Sequence, residues 1–263
     1  MEGEPVYLRL IHDQAYPGAH QMTVDESLFR NQIQTQDPNA IIRFYHFSEP
    51  TLTVGYGVWS KIHQNLTDEI PAVRRITGGG IVSHKTSDLT YAFIAPYTPF
   101  LSLRKTRGSY LFIHEVLKRA LVDFGVRTSF FEDCCNGRES VSAKQRSHYC
   151  FEAPVLYDVM LGPNKVAGAG QKRTVGYLLH QGSIAWDLLL DIEPKLVETD
   201  FCAAFAKHLA EMLNLSVKEI SLYAEEMVIT QALTRHCEAR PMEAEAISES
   251  GIASLPSVAR NDG

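Results

Sequence analysis

The sequence predicts an α+β fold, and three observations carry that expectation. Segments rich in β-branched and aromatic residues follow one another closely, without the strict strand–helix alternation of a doubly wound parallel sheet. Two stretches repeat apolar residues every three and four positions, the one-sided stripe of a helix packed on a sheet. Glycine-rich stretches lie between extended segments, where chain reversals are needed.

Taken in order, "MTVDESLFRNQI" is the first helix signal, with Thr23 and Glu26 at the spacing of a capping box. "AIIRFYHF" (40–47) and "TLTVGYG" (51–57) read as strands separated by Ser48-Glu49-Pro50. "VRRIT" and "LTYAFIAP" are extended segments flanking a glycine loop, "RRITGGGIVSH". A long helix follows, with Phe112, Ile113, Val116, Leu117, Ala120, Leu121 and Phe124 on one stripe and Gly125 placed to end it. "VLYDVMLG", "KVAGAG" and "GYLLHQGSIAW" read as strands with turns between. A second amphipathic helix carries Phe201, Phe205, Leu209, Met212 and Leu213, with His208 on the same face as a packed core histidine. From about Arg235 onward the chain is rich in Ala, Ser and Glu and poor in large apolar groups. The expected organisation is a domain over 1–234 and a tail over 235–263 that has little to bury.

With 263 residues, the chain has ample material for a buried core. Its net charge of −6 argues against nucleic acid as the main partner, so any basic function has to be local. No apolar run approaches the roughly 20 residues of a membrane helix, and the acidic start "MEGEPVYLRL" lacks the basic region of a secretory signal. The five cysteines, Cys134, Cys135, Cys150, Cys202 and Cys237, are odd in number and irregularly spaced, with no CxxC pair. A reducing cytoplasm and no metal centre are the expectations.

Three segments bear chemistry. In "RRITGGGIVSH", Arg74 and Arg75 precede Thr77, Gly78, Gly79 and Gly80, and His84 closes the run. Bare main-chain N–H groups beside two cations can bind an anion or cradle a carbonyl oxygen, and a bulged hairpin relieved of strain is the plainer possibility. In "NKVAGAGQKR", the small residues Ala167 to Gly170 leave a strand open to something lying against it, a ligand or a crossing strand. The third is Cys150. A lone cysteine is by default a small buried hydrophobe. If "VLYDVMLGPNKVAG" forms a strand–turn–strand, however, Lys165 returns toward Cys150, and a nearby ammonium favours the thiolate.

In the order "RRITGGGIVSH", "LTYAF", "CFEAPVLYDV", "NKVAGAGQKR" and "LLHQGSI", the chain resembles the biotin/lipoate protein ligase and octanoyltransferase family from about residue 22 to 213. Cysteine followed by phenylalanine before the Lys-x-x-Gly strand is similar to the single-domain, cysteine-dependent octanoyl and lipoyl transferases; ATP-dependent ligases usually carry Asn-Asp there. Two departures stand out. The family's usual Gly-Ser-Ala-Gln is Gly168-Ala169-Gly170-Gln171, which removes a hydroxyl, and its Gln-His-Gly-Ser is His180-Gln181-Gly182-Ser183.

The resemblance implies a mixed, largely antiparallel sheet packed with helices, like the biotin/lipoate ligase catalytic core. It implies Cys150 as nucleophile on octanoyl-acyl carrier protein and Lys165 as the cation beside it. A lysine of a lipoyl domain or glycine cleavage H protein would be the acceptor, with no cofactor. ATP and Mg enter only for the ligase alternative, in which Lys165 holds an acyl-adenylate; a degenerate, non-catalytic carrier-binding protein is the other alternative. It further implies a substrate-binding set of Arg74, Arg75, Thr77, Gly78, Gly79, Gly80, His84, Gly168, Gly170, Gln171, His180 and Gly182, with Arg74 or Arg75 meeting an anionic carrier or phosphopantetheine.

Overall fold

The structure, a computed structural model, describes residues 5–62, 69–97, 100–132, 154–222 and Glu226. Cys134, Cys135, Cys150, Cys237 and the tail expected over 235–263 lie outside the described residues.

In chain order the elements are β1 (Tyr7–His12), α1 (Gly18–Thr35), β2 (Ala40–Tyr45), β3 (Thr51–Gly55), α2 (Tyr56–Ile62), β4 (Ala72–Arg75), β5 (Ile81–His84), β6 (Leu89–Pro96), α3 (Thr106–Asp123), β7 (Ser129–Phe130), β8 (Val159–Leu161), β9 (Asn164–Arg173), β10 (Tyr177–Ile184), α4 (Trp186–Leu190), α5 (Glu198–Leu213) and β11 (Ser216–Glu219). One eight-stranded sheet runs in the order β11-β1-β2-β6-β10-β9-β8-β7, and β4-β3-β5 forms a separate three-stranded sheet. Pairing is parallel at β11–β1, β1–β2 and β3–β4 and antiparallel elsewhere, which makes the architecture mixed and largely antiparallel, as expected.

Alternation sorts the side chains of the large sheet into two cores. Ile42, Phe44, Tyr91, Phe93 and Leu178 face α3 and α5, packing with Ile113, Leu117, Phe201 and Phe205. Ile41, Tyr45, Ala92, Ile94 and Leu179 face α1, packing with Met22, Val24, Leu28 and Phe29. The small sheet has its own patch, Leu52, Val54 and Ile81 under Val58, Trp59 and Ile62 of α2.

Several local expectations are corrected. α1 begins five residues before Thr23, whose hydroxyl donates to Ala19 O one turn back (2.7 Å), so Thr23 and Glu26 form no capping box. Tyr56 opens α2 instead of extending β3, and Trp186 opens α4. The segment from Val155 to Asp158 is a turn, not strand, with Tyr157 in the left-handed region (φ 72°). His208 is not a core histidine: it is partly exposed, with Nε2 2.8 Å from Asp123. α3 does end as expected, at Phe124, with Gly125 at φ 79° behind it. Among the described residues no helix is long and apolar enough to cross a membrane, and no cluster of three His, Cys, Asp or Glu residues could hold a metal.

Candidate active site

The glycine loop joins β4 to β5 and is bound on both sides. Arg75 lies underneath, 6% exposed. Its Nη1 donates to Thr53 O (2.7 Å) and Oγ1 (3.1 Å), and its Nη2 to Gly78 O (2.9 Å) and Gly80 O (3.0 Å). Arg75 therefore staples the loop instead of meeting an anionic carrier, because its fork is taken up by carbonyl oxygens in a place water does not reach. Arg74, the next residue out, is half-buried and stacks its guanidinium over the Tyr56 ring (5.2 Å to the centroid).

Across the loop lies β9. It is ten residues long, whereas its partner β8 has three, so among the described residues the edge of β9 past Ala167 has no neighbouring strand. Two groups fill part of that edge: Ala169 N–H donates to Tyr110 OH (3.0 Å), and Gly78 N–H donates to Gln171 O (3.1 Å). The loop is thus seated on the strand, and the glycines permit it. A Cβ on Gly170 would stand 2.6 Å from Gly78 O, and one on Gly55 would stand 2.0 Å from Gly79 O. Gly170→Ala is expected to push the loop off β9 and cost about 1–3 kcal/mol, the usual penalty for overpacking. Its thermal midpoint should fall by several degrees; an unchanged midpoint would show that the contact is loose.

Between loop and strand is a cavity of about 130 Å³. Of the residues expected from sequence, Arg75, Gly79, His84, Lys165, Gly168, Gly170 and Gly182 line it, together with Met22, Tyr45, Thr53, Thr90, Tyr110, Gln181 and Ser183. Lys165 comes off the start of β9, and its Nζ is 2.8 Å from Asp158, with side chains 7% and 0% exposed. Gly168 makes room for it, since a Cβ there would meet Lys165 Cε at 2.5 Å and Nζ at 2.6 Å. Asp158 is fixed in turn: one oxygen accepts from Tyr110 OH (2.5 Å), the other from Val155 N–H (2.8 Å). Val155 is five residues after Cys150 in sequence, so Asp158 ties the lysine to the chain leading out of the cysteine segment.

Two polar networks back the cavity. On the α1 side, Thr77 Oγ1 donates to Gln181 (2.8 Å) and Gln181 Nε2 donates to Asp25 (2.6 Å). Asp25 also accepts from Arg43 (2.6 Å) and Tyr45 (2.7 Å). Burial, the largest influence, raises the Asp25 carboxyl against the opposing pull of Arg43. On the α3 side, His180 sits behind the strands, between Gln171 (3.0 Å) and the Tyr91 hydroxyl (3.3 Å). His180 and Gln171 thus support the wall from behind and do not line the cavity, because residue 180 falls on the face opposite Gln181 and Ser183. His84 bridges the two sheets, Nε2 to Thr53 (2.8 Å) and Nδ1 to Ser183 (3.2 Å).

Three imidazoles in this region are neutral. Burial holds His84 down to about 3 and His114 to about 4, and it lowers His180 as well. The unfolded chain takes up their protons below about pH 6.5, and the folded chain does not until the lowered values are reached. Stability is therefore expected to be full above that pH and to fall as pH drops toward 5, by roughly 1–2 kcal/mol per imidazole. Urea titrations at pH 7 and 5 measure this; equal midpoints would mean the histidines are solvated. The Cys202 thiol is buried in α5 and pushed up, chiefly by that burial, so it is no nucleophile.

Composition and spacing drew attention to the glycines, Lys165 and His84, but not to Asp158, Tyr110, Asp25, Gln181 or Ser183. Asp158 had a usable signal: it stands on the same hairpin as Lys165, seven positions before it. Tyr110 had none, since it comes from a helix 55 residues before Lys165 in the chain.

The lipoyl protein ligase A/B catalytic domain model matches residues 17–239. Octanoyltransferase LipM of Clostridioides difficile (strain 630) is 33% identical over 201 residues, 73% of this chain and 70% of that protein. Octanoyltransferase LipM of Moorella thermoacetica is 29% identical, over 64% of this chain and 60% of its own length. That of Bacillus cereus is 32% identical, over 66% and 63%. The chain thus spans between 60% and 70% of the length of these relatives. Among solved structures, lipoate-protein ligase A bound with ATP superposes with a TM-score of 0.64 at 18% identity, covering 88% of this chain and 95% of that one. A bi-partite lipoate protein ligase from Thermoplasma acidophilum, described with its E2 lipoyl domain, gives 0.59 at 16%, covering 88% and 92%. At those identities the likeness is one of fold.

Proposed function

The chain belongs to the lipoyl protein ligase A/B catalytic domain family, and from that premise we propose that it is an octanoyltransferase working through a cysteine acyl-enzyme. The Cys150 thiolate attacks the thioester carbonyl of octanoyl-acyl carrier protein. The tetrahedral intermediate collapses with loss of the carrier thiolate, leaving octanoyl-Cys150. The amine of an acceptor lysine, on a lipoyl domain or glycine cleavage H protein, then displaces Cys150 and forms the amide. The donor is already activated, so no nucleotide or metal is needed, and the reaction belongs in the cytoplasm where carrier and acceptor meet.

The observation that supports this most is Lys165 in the cavity wall, held 2.8 Å from buried Asp158. A fixed ammonium beside the reacting carbonyl stabilises the oxyanion, and one well-placed donor of this kind contributes about 3–4 kcal/mol. Gly79, Gly168 and Gly170 line the space without side chains, so an acyl chain can lie against main chain. The identity of around 30% to octanoyltransferases points the same way.

The test is incubation of the purified protein with octanoyl-acyl carrier protein in the absence of ATP, followed by intact mass measurement. An added octanoyl group on Cys150 is the expected result. Acyl transfer that appears only with ATP would identify a lipoate-protein ligase, and no transfer under either condition a carrier-binding protein.

A further inference from the structure

Four residues on neighbouring strands form a straight row across the large sheet. Gly168 of β9 pairs with Ser183 of β10, Ser183 with Thr90 of β6, and Thr90 with Tyr45 of β2. Residues paired across strands project on the same side of a sheet, here the α1 side, and all four line the cavity. The row is walled on both flanks. Gln181, one row along, holds Thr77 and with it the glycine loop. On the other flank, His84 takes up the Ser183 hydroxyl (3.2 Å) and rests its ring on Phe47 (4.6 Å between centroids). The cavity therefore runs across the strands and not along β9, whose next position on this face, Gly170, is covered by Gly78 O.

Lys165 marks one end of the row, because a Cβ on Gly168 would stand 2.6 Å from its Nζ. Tyr45 closes the other end. Its hydroxyl donates to Asp25 (2.7 Å), and the Arg43 guanidinium lies over its ring, 4.1 Å from the centroid. Between them is Thr90, 3% exposed, whose hydroxyl has no hydrogen-bond partner among the described residues. At about 4.8 Å between strands, Thr90 stands about 10 Å from Gly168 and Tyr45 about 14 Å. An extended hydrocarbon advances about 1.25 Å per bond, for bonds of about 1.5 Å meeting near 111°. A carbonyl held at Lys165 thus places the eighth carbon, about 9 Å on, at Thr90 and a tenth carbon past it.

Resting on the acyl-transfer assignment, we propose that Thr90 sets the length of the acyl group: the chain lies along the row from Lys165, and the Thr90 hydroxyl limits it to eight carbons. Up to that point each added methylene gains burial, and the Ser183 hydroxyl on the way is already satisfied by His84. A chain that stops there leaves the Thr90 hydroxyl open to water on the Tyr45 side. A longer apolar chain covers that hydroxyl and gives it nothing to bond, which is unfavourable in a buried place. Length is thus read by polarity as well as by space.

The experiment titrates hexanoate, octanoate and decanoate calorimetrically into the full chain, as wild type, Thr90→Val and Thr90→Ser. Wild-type affinity should rise about tenfold from hexanoate to octanoate and rise no further at decanoate. Thr90→Val has nearly the same shape without the hydroxyl, so decanoate should gain about tenfold on octanoate, with no fall in melting temperature. Thr90→Ser keeps the hydroxyl and should keep the wild-type order. Wild-type affinity that goes on rising at decanoate, a valine variant with the wild-type order, or no binding of any of the three overturns the proposal. So does a serine variant that behaves like valine, which would mean that the space of the methyl group sets the length. Each protein is also weighed after incubation with octanoyl-acyl carrier protein without ATP. Acylation together with a length order indifferent to Thr90 would overturn the ruler and leave the transferase assignment standing. A Thr90-dependent order in a protein that is never acylated without ATP would do the reverse.

Discussion

Replacing Cys150 with serine should remove the acyl-enzyme and lower octanoyl transfer from carrier to acceptor lysine by several orders of magnitude. A serine hydroxyl needs a positioned general base to attack at pH 7. The imidazoles of the described site are unsuited to that task. His84 is committed to Thr53 and Ser183, and His180 to Gln171 and Tyr91. The His114 ring donates from Nδ1 to Tyr157 O, 2.7 Å away, in a fully buried setting. The comparison that decides is Cys150→Ser against Lys165→Ala, each assayed with and without ATP. A ligase would pass the acyl group through an adenylate, so Cys150→Ser would keep most of its ATP-dependent activity while Lys165→Ala lost it. In a transferase the serine variant is dead with or without ATP, and a serine variant at wild-type rate would sink the mechanism.

The second large effect is expected at Asp158. With Lys165 7% exposed and its carboxylate partner fully buried, removing the carboxylate takes from the ammonium the ion pair held at 2.8 Å, in a place water barely enters. Breaking such a pair from one side costs about 3–5 kcal/mol. Asp158→Ala should therefore unfold at a markedly lower urea concentration. It should also free Val155 N–H and the Tyr110 hydroxyl, loosening the wall around Lys165. The double variant Asp158→Ala/Lys165→Met should recover much of the stability, because both charges are gone, while transfer stays lost. If the double variant were no more stable than the single one, the loss would come from Asp158's bonds to Val155 and Tyr110 and not from its ion pair with Lys165.

Much of the fold could be read from the chain wherever burial imposes a period. β2, β6, α3 and α5 bury most of their length or a continuous stripe, and their apolar spacing announces it. β11 does not: all four residues of "SVKE" are exposed, and its place depends on main-chain pairing with β1, which leaves no mark in side-chain type. The separate small sheet was equally hidden, because strands of four and five residues are too short to show which partner they choose. In the site, the glycines were legible because close main-chain approach excludes Cβ. Arg75 was legible as important and misread in kind. A cation beside glycines suggests an anion, yet the oxygens around it are Thr53 O of β3 and the loop's own Gly78 and Gly80 carbonyls. The Asp25–Gln181–Thr77 relay joins residues up to 156 positions apart, and only the folded chain brings them together.

The closing of the large sheet has a consequence for how the protein is made. β1 pairs with β11 through Tyr7–Ser216 to Leu10–Glu219, and Arg9, 3% exposed, is neutralised by Glu226 at 2.7 and 2.9 Å. These contacts join residues more than 200 positions apart. On the ribosome the first strand therefore waits, one edge bare and its guanidinium not yet joined to Glu226, until almost all of the described chain has been synthesised. Contacts of such sequence separation form late and slowly, and an edge left open during that wait is exposed to pairing with other chains. A nascent chain halted before Glu226 should thus remain protease-sensitive at its N-terminal strand, however complete the rest of the sheet has become.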